Sequence, residues 1–155
     1  MYQWRETYFV LFSADCRPSV AAVQKTLSAL DSRYVLEGVR SVEQGDFESC
    51  TLFAPHDFSA MDITFIDGPE VLEQIAELML TLTQIADTEE EKEKIASLAN
   101  CDARLDIFHF EQMVIEADPQ VDDENLDPGA LLIVMDRLAR LCEGVAVDPQ
   151  SGSVL

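Results

Sequence analysis

Residues 34–68 read YVLEGVRSVEQGDFESCTLFAPHDFSAMDITFIDG, a run that turn and strand chemistry resolve into a sheet. Three short segments, 34–42, 47–54 and 61–67, are rich in β-branched and aromatic residues. Gln44-Gly45-Asp46 separates the first two and Pro55-His56-Asp57 the second two. Glycine supplies positive φ in a tight turn, and proline cannot donate to a strand ladder. Both separators therefore read as hairpin turns and the stretch as a β-meander. In its last segment Met61, Ile63 and Phe65 alternate with Asp62 and Thr64, which predicts one covered and one wetter face.

Working outward, the apolar run from Thr7 to Ser13 predicts a central strand covered on both faces. Ser19 is placed as an N-cap before Val20, Val23, Leu27 and Leu30, which predicts a helix over 19–31. Asp67-Gly68-Pro69 opens a second helix, whose Val71, Leu72, Ile75, Leu78, Met79, Leu82 and Ile85 form a broad stripe expected to make it the main packing helix. Thr88 with Glu91 is a capping box for a short helix through Ala99, ended by Asn100 in a left-handed turn. A strand follows at 104–113. Asp127-Pro128 then caps a helix with Leu131, Val134, Met135, Leu138 and Leu141 inward and Gly144 as its stop. A hairpin around Asp148-Pro149 closes the chain.

This order predicts a single α+β domain over 1–155: a two-layer sandwich of a mainly antiparallel or mixed sheet, with helices on one face. If two of the meander strands join the main sheet, the β-α-β-β-α-β order gives a ferredoxin-like core extended by a C-terminal helix and hairpin.

The chain carries 30 Asp and Glu against 10 Lys and Arg, a net charge of −20, while 48% of its residues are hydrophobic. There is enough apolar side chain for a core. The surface repels nucleic acid and anionic membrane, so neither is expected as a partner. No run approaches the roughly 18 apolar residues of a spanning helix, and the N-terminus reads as a strand rather than a signal peptide. Cys16, Cys50, Cys101 and Cys142 form no CxxC pair and have no histidine nearby in sequence. They read as buried or half-buried thiols in a reducing cytoplasm.

His56 and His109 are the two histidines. His56 sits in a turn, where Asp57 or Asp62 could orient it as a general base. His109 lies on a strand, with Glu111 on the same face as its best local neighbour. The glycines are isolated, no serine sits in GxSxG, and no cofactor-binding motif is written in the chain.

Glu116, Asp118, Asp122, Asp123, Glu124 and Asp127 form an acidic segment without one basic residue. As an EF-hand counted from Asp118 it would need glycine at 123 and glutamate at 129, where the chain has Asp123 and Gly129. It reads as a solvated loop, and no metal site is expected. Acidity throughout a high-salt proteome would give the same composition. The acids are nonetheless uneven, concentrated at 87–93 and 111–127, while Arg137 and Arg140 share the last helix.

The expectation is a cytoplasmic, non-enzymatic module in the manner of an immunity or inhibitor protein, with its acidic segment steering it to a basic protein partner. A small enzyme or ligand-binding domain built on His56 or His109 with nearby carboxylates is the alternative. A homo-oligomer subunit is the third.

Overall fold

The computed structural model describes residues 2–112, 129–151 and 153–155. In chain order the elements are β1 (Tyr2–Phe12), α1 (Val20–Ser28), β2 (Val35–Ser41), β3 (Phe47–Ala54), β4 (Ser59–Asp67), α2 (Pro69–Ile85), α3 (Glu89–Ser97), β5 (Ala103–Gln112), α4 (Gly129–Leu141), β6 (Val145–Asp148) and β7 (Ser153–Val154). The fold is α+β. Its strands form one antiparallel sheet in the order β2-β3-β4-β5-β1-β6-β7. The expected meander is present and continues one strand further, into β5.

The ferredoxin-like arrangement is not formed. A split βαβ unit joins two parallel strands that flank a third, and α4 makes one such unit, carrying the chain from β5 to β6 around β1. After β1, however, α1 carries the chain to the far edge at β2, with β3, β4 and β5 lying between.

Alternation along β1 explains why its run is apolar throughout. Tyr8, Val10 and Phe12 point to the larger core, with Met61, Ile63, Leu105 and Ile107, beneath Val23 and Leu27 of α1 and Leu131, Val134 and Leu138 of α4. Phe9 and Leu11 point the other way, joining Val147 beneath Val71, Ile75 and Leu82 of α2 and Ile95 of α3. The sandwich of sheet and helices therefore has its principal helical layer in α1 and α4. In place of helices on one face only, α2 and α3 cover part of the opposite face. Nor is α2 the main packing helix. Val71, Ile75 and Leu82 are buried, but Leu72 and Ile85 stand 52% and 54% exposed, because α2 lies over one end of the sheet and little packs against its flanks.

Local signals act as capping chemistry requires. Ser19 Oγ accepts from the Ala22 N–H at 3.1 Å, and Thr88 Oγ1 from the Glu91 N–H at 3.1 Å. α3 ends through a tight turn at Leu98–Asn100, so Asn100 is not left-handed; among the described residues, the non-glycine residues with positive φ are Phe58 and Glu143. At the end of α4 the Gly144 N–H donates to Ala139 O at 2.8 Å and the Glu143 N–H to Arg140 O at 3.3 Å, the paired bonds of a Schellman motif. The left-handed residue there is Glu143. Gly144 is needed for a different reason, since a Cβ at that position would lie 2.4 Å from Leu11 O.

All four cysteines are free, with Cys16 half-buried and the others buried. Burial pushes the thiols of Cys50 and Cys142 up to about 12 and that of Cys101 up to about 11, so these three remain protonated and unreactive near neutrality. Among the described residues no helix is long and apolar enough to cross a membrane.

Candidate functional site

The two histidines do not converge. His56 is exposed in the short helical turn Pro55–Asp57, with Asp57 beside it. His109 is buried in β5, opposite Met61 of β4 and Glu6 of β1. Strand alternation puts Glu111 on the His109 side of the sheet, where it pairs with Arg5 at 3.2 Å. Asp62 lies on the other side and accepts from Thr51 Oγ1 at 2.6 Å. Of the five residues expected to form this site, His109 and Glu111 share a neighbourhood; Asp62 and the His56–Asp57 turn do not join them. The acidic segment, Glu116, Asp118, Asp122, Asp123, Glu124 and Asp127, lies outside the described residues.

Two other residues complete the surroundings of His109. Ser59 Oγ lies 2.9 Å from Nε2, and Glu6 Oε1 lies 3.7 Å from Nδ1, too far for a hydrogen bond. A serine, an imidazole and a carboxylate in this sequence resemble a nucleophile with its activating base. Ser59 and His109 are each only 4% exposed, so the hydroxyl is closed to substrate. Burial holds the His109 pKa below its ordinary value, against the pull of Glu111 and Glu6. Tyr8 shares Glu6, and burial followed by that contact raises the phenol. Sequence reading missed Ser59 and Glu6 because they meet His109 through strand register, across a β1 ladder that a bulge shifts between Trp4 and Glu6.

The reverse side of β1, β3, β4 and β5 carries a second assembly. Trp4 is directly opposite Phe110, Thr7 opposite Phe108, Ala60 opposite Phe110 and Phe53 opposite Ala60, and directly paired residues point to one face. Tyr2 reaches across this surface to Phe53, the ring centroids 5.6 Å apart. Trp4 is 51% exposed and held by its indole N–H to Thr7 Oγ1 at 3.3 Å. Phe53, Phe108 and Phe110 are half-buried. The α2 and α3 core reaches only Phe9 and Leu11 among the β1 residues. The aromatic residues further along this face are outside it. Asp62 and the exposed Glu37, opposite Thr51 on β2, add carboxylates to this face.

Among the described residues, no three His, Cys, Asp or Glu side chains come together as metal ligands. Comparisons with protein-family models, with curated proteins and with solved structures find no match.

Proposed function

We propose that this protein is a non-enzymatic binding module that engages a basic protein surface through the aromatic face of β1, β3, β4 and β5. The observation that supports this reading is Trp4, half-exposed opposite Phe110 and on the same sheet face as Tyr2 and Phe53, in a chain of net charge −20. Tryptophan and tyrosine supply large contact areas at low entropic cost and dominate interface energetics. Their rings also attract arginine and lysine side chains, an attraction worth about 0.5–2 kcal/mol per contact. Asp62 and Glu37 on the same face offer those cations a charged partner. The overall negative field steers a basic protein toward the surface and turns nucleic acid away.

An enzymatic reading would rest on Ser59, His109 and Glu6, and the burial of both reacting atoms speaks against it.

Affinity capture from a lysate of the source cells, with wild type and with Trp4→Ala/Tyr2→Ala immobilised side by side, tests the proposal. A basic protein held by wild type, released by raised salt and missing from the variant supports it. Equal retention by both, or none by either, overturns it.

A further inference from the structure

Four of the ten lysines and arginines, Lys25, Lys94, Arg137 and Arg140, line two grooves that flank α4. The larger has a volume of about 880 Å³ and runs between α1 and α4, over Ala22, Ala29 and Leu30. Leu132 and Ile133 border it at 48% and 49% exposure. Arg140 is tied to Asp136 at 3.1 Å. Neither Lys25 nor Arg137 has an ion-pair partner among the described residues. In a chain with 30 carboxylates, two cations without an ion-pair partner among the described residues, beside exposed aliphatic side chains, offer the chemistry that an acidic, amphipathic helix needs.

Such a helix exists on the opposite face of the sheet. In the 17-residue α2, Leu72, Ala76 and Leu80 form an i, i+4, i+8 ridge away from the buried Val71, Ile75 and Leu82. Leu72 is 52% and Leu80 70% exposed, the latter a large cost in hydrated apolar surface for a folded protein. Glu73 and Glu77, both exposed, make the adjoining ridge. Asp136 also lines the groove but is held by Arg140, so ridge and groove are complementary in shape class and opposite in charge at Lys25 and Arg137.

We infer that this chain associates head to tail with a second copy, α2 of one copy lying in the α1–α4 groove of the next. Leu72 and Leu80 then meet Leu132 and Ile133, and Glu73 and Glu77 meet Lys25 and Arg137. Donor ridge and acceptor groove occupy opposite faces of the sheet, so the contact is heterologous and can repeat along a row of copies. Repulsion between the remaining acidic surfaces is screened beyond about 8 Å at physiological salt, whereas the contact itself pairs opposite charges. The contact uses neither Trp4 nor the aromatic residues beyond α2, and it does not rest on the proposed basic partner.

Sedimentation equilibrium of the full chain at about 0.15 M salt tests it. Wild type should show an average mass that climbs with concentration above the 17.3 kDa of one copy. Lys25→Glu/Arg137→Glu and Glu73→Lys/Glu77→Lys should each weaken association by about tenfold or more. An equimolar mixture of the two, and the chain carrying all four changes, should regain it. Circular dichroism checks that every variant is folded. A wild type that stays at one copy, an association indifferent to either reversal, or a loss that recombining the charges fails to restore would each overturn the inference.

Discussion

Ser59 Oγ on β4 lies 2.9 Å from His109 Nε2 on β5, and Glu6 sits on the far side of the ring with Oε1 3.7 Å from Nδ1. A bare Nδ1 lone pair facing that carboxylate would be repelled. The Nδ1–H tautomer is therefore favoured, with the Ser59 hydroxyl donating to Nε2. The folded protein holds the imidazole neutral because burial lowers its pKa from the ordinary 6.5. The unfolded chain then takes up the proton first, so stability declines as pH falls below about 6.5 and levels off once the folded-state pKa is passed. Denaturant midpoints measured between about pH 7 and about pH 5 should drop for wild type. His109→Gln should show a shallower decline; parallel profiles would refute the assignment.

Arg104, half-buried, and Asp106, buried, form an ion pair on the α2 side of the sheet. The Nε···Oδ1 distance is 2.6 Å, the guanidinium also donates to Gln74 of α2, and it rests 4.7 Å above the Phe9 ring. Burial raises the Asp106 pKa and Arg104 opposes that rise. Removing the cation alone strands the carboxyl, so Arg104→Met should cost about 2 kcal/mol, less than for a fully buried pair. Adding Asp106→Leu should recover more than half of that loss in urea titrations, because the pair's own desolvation is relieved.

Glu143 and Gly144 should respond in opposite directions to substitution. Gly144→Ala forces a methyl against Leu11 O and should destabilise by about 2 kcal/mol. Glu143→Gly relieves a left-handed residue with φ of 53° and should stabilise by up to about 1 kcal/mol. Thermal unfolding of the two variants beside wild type reads both signs.

Trp4→Ala should cost about 1–2 kcal/mol, about half of what a fully buried aromatic side chain would lose, since half of the side chain already meets water. Trp4 is also the one tryptophan in the chain. Its emission therefore reports on the aromatic face without labelling, and should be quenched readily by small neutral quenchers in the isolated protein. A blue-shifted, unquenchable emission would mean that the face is covered.

Local chemistry was legible in the sequence, and the choice of sheet face was not. The turns at Gly45 and Pro55, the caps at Ser19 and Thr88 and the two-faced run of β1 depend on neighbours a few residues away, and they fall where propensity and spacing put them. Which side of the sheet α2 would cover depends on how β4 leads into it, and an amphipathic stripe is the same for either side. The aromatic residues at 53, 108 and 110 read as strand formers, and they become an open surface only because α2 lies over Phe9 and Leu11 instead. Ser59 and Glu6 carried no local sign of a bond to His109, since both relationships cross strands far apart in the chain.

The proposed docking of a basic protein on the aromatic sheet face can be read at Trp4 itself. Its most direct test is a photocrosslinking amino acid placed at position 4, irradiated in the source cells, with the adduct identified by mass spectrometry. The adduct should be a protein whose contact peptide is rich in arginine or lysine. No adduct from position 4, or an adduct to an acidic or neutral surface, would contradict it.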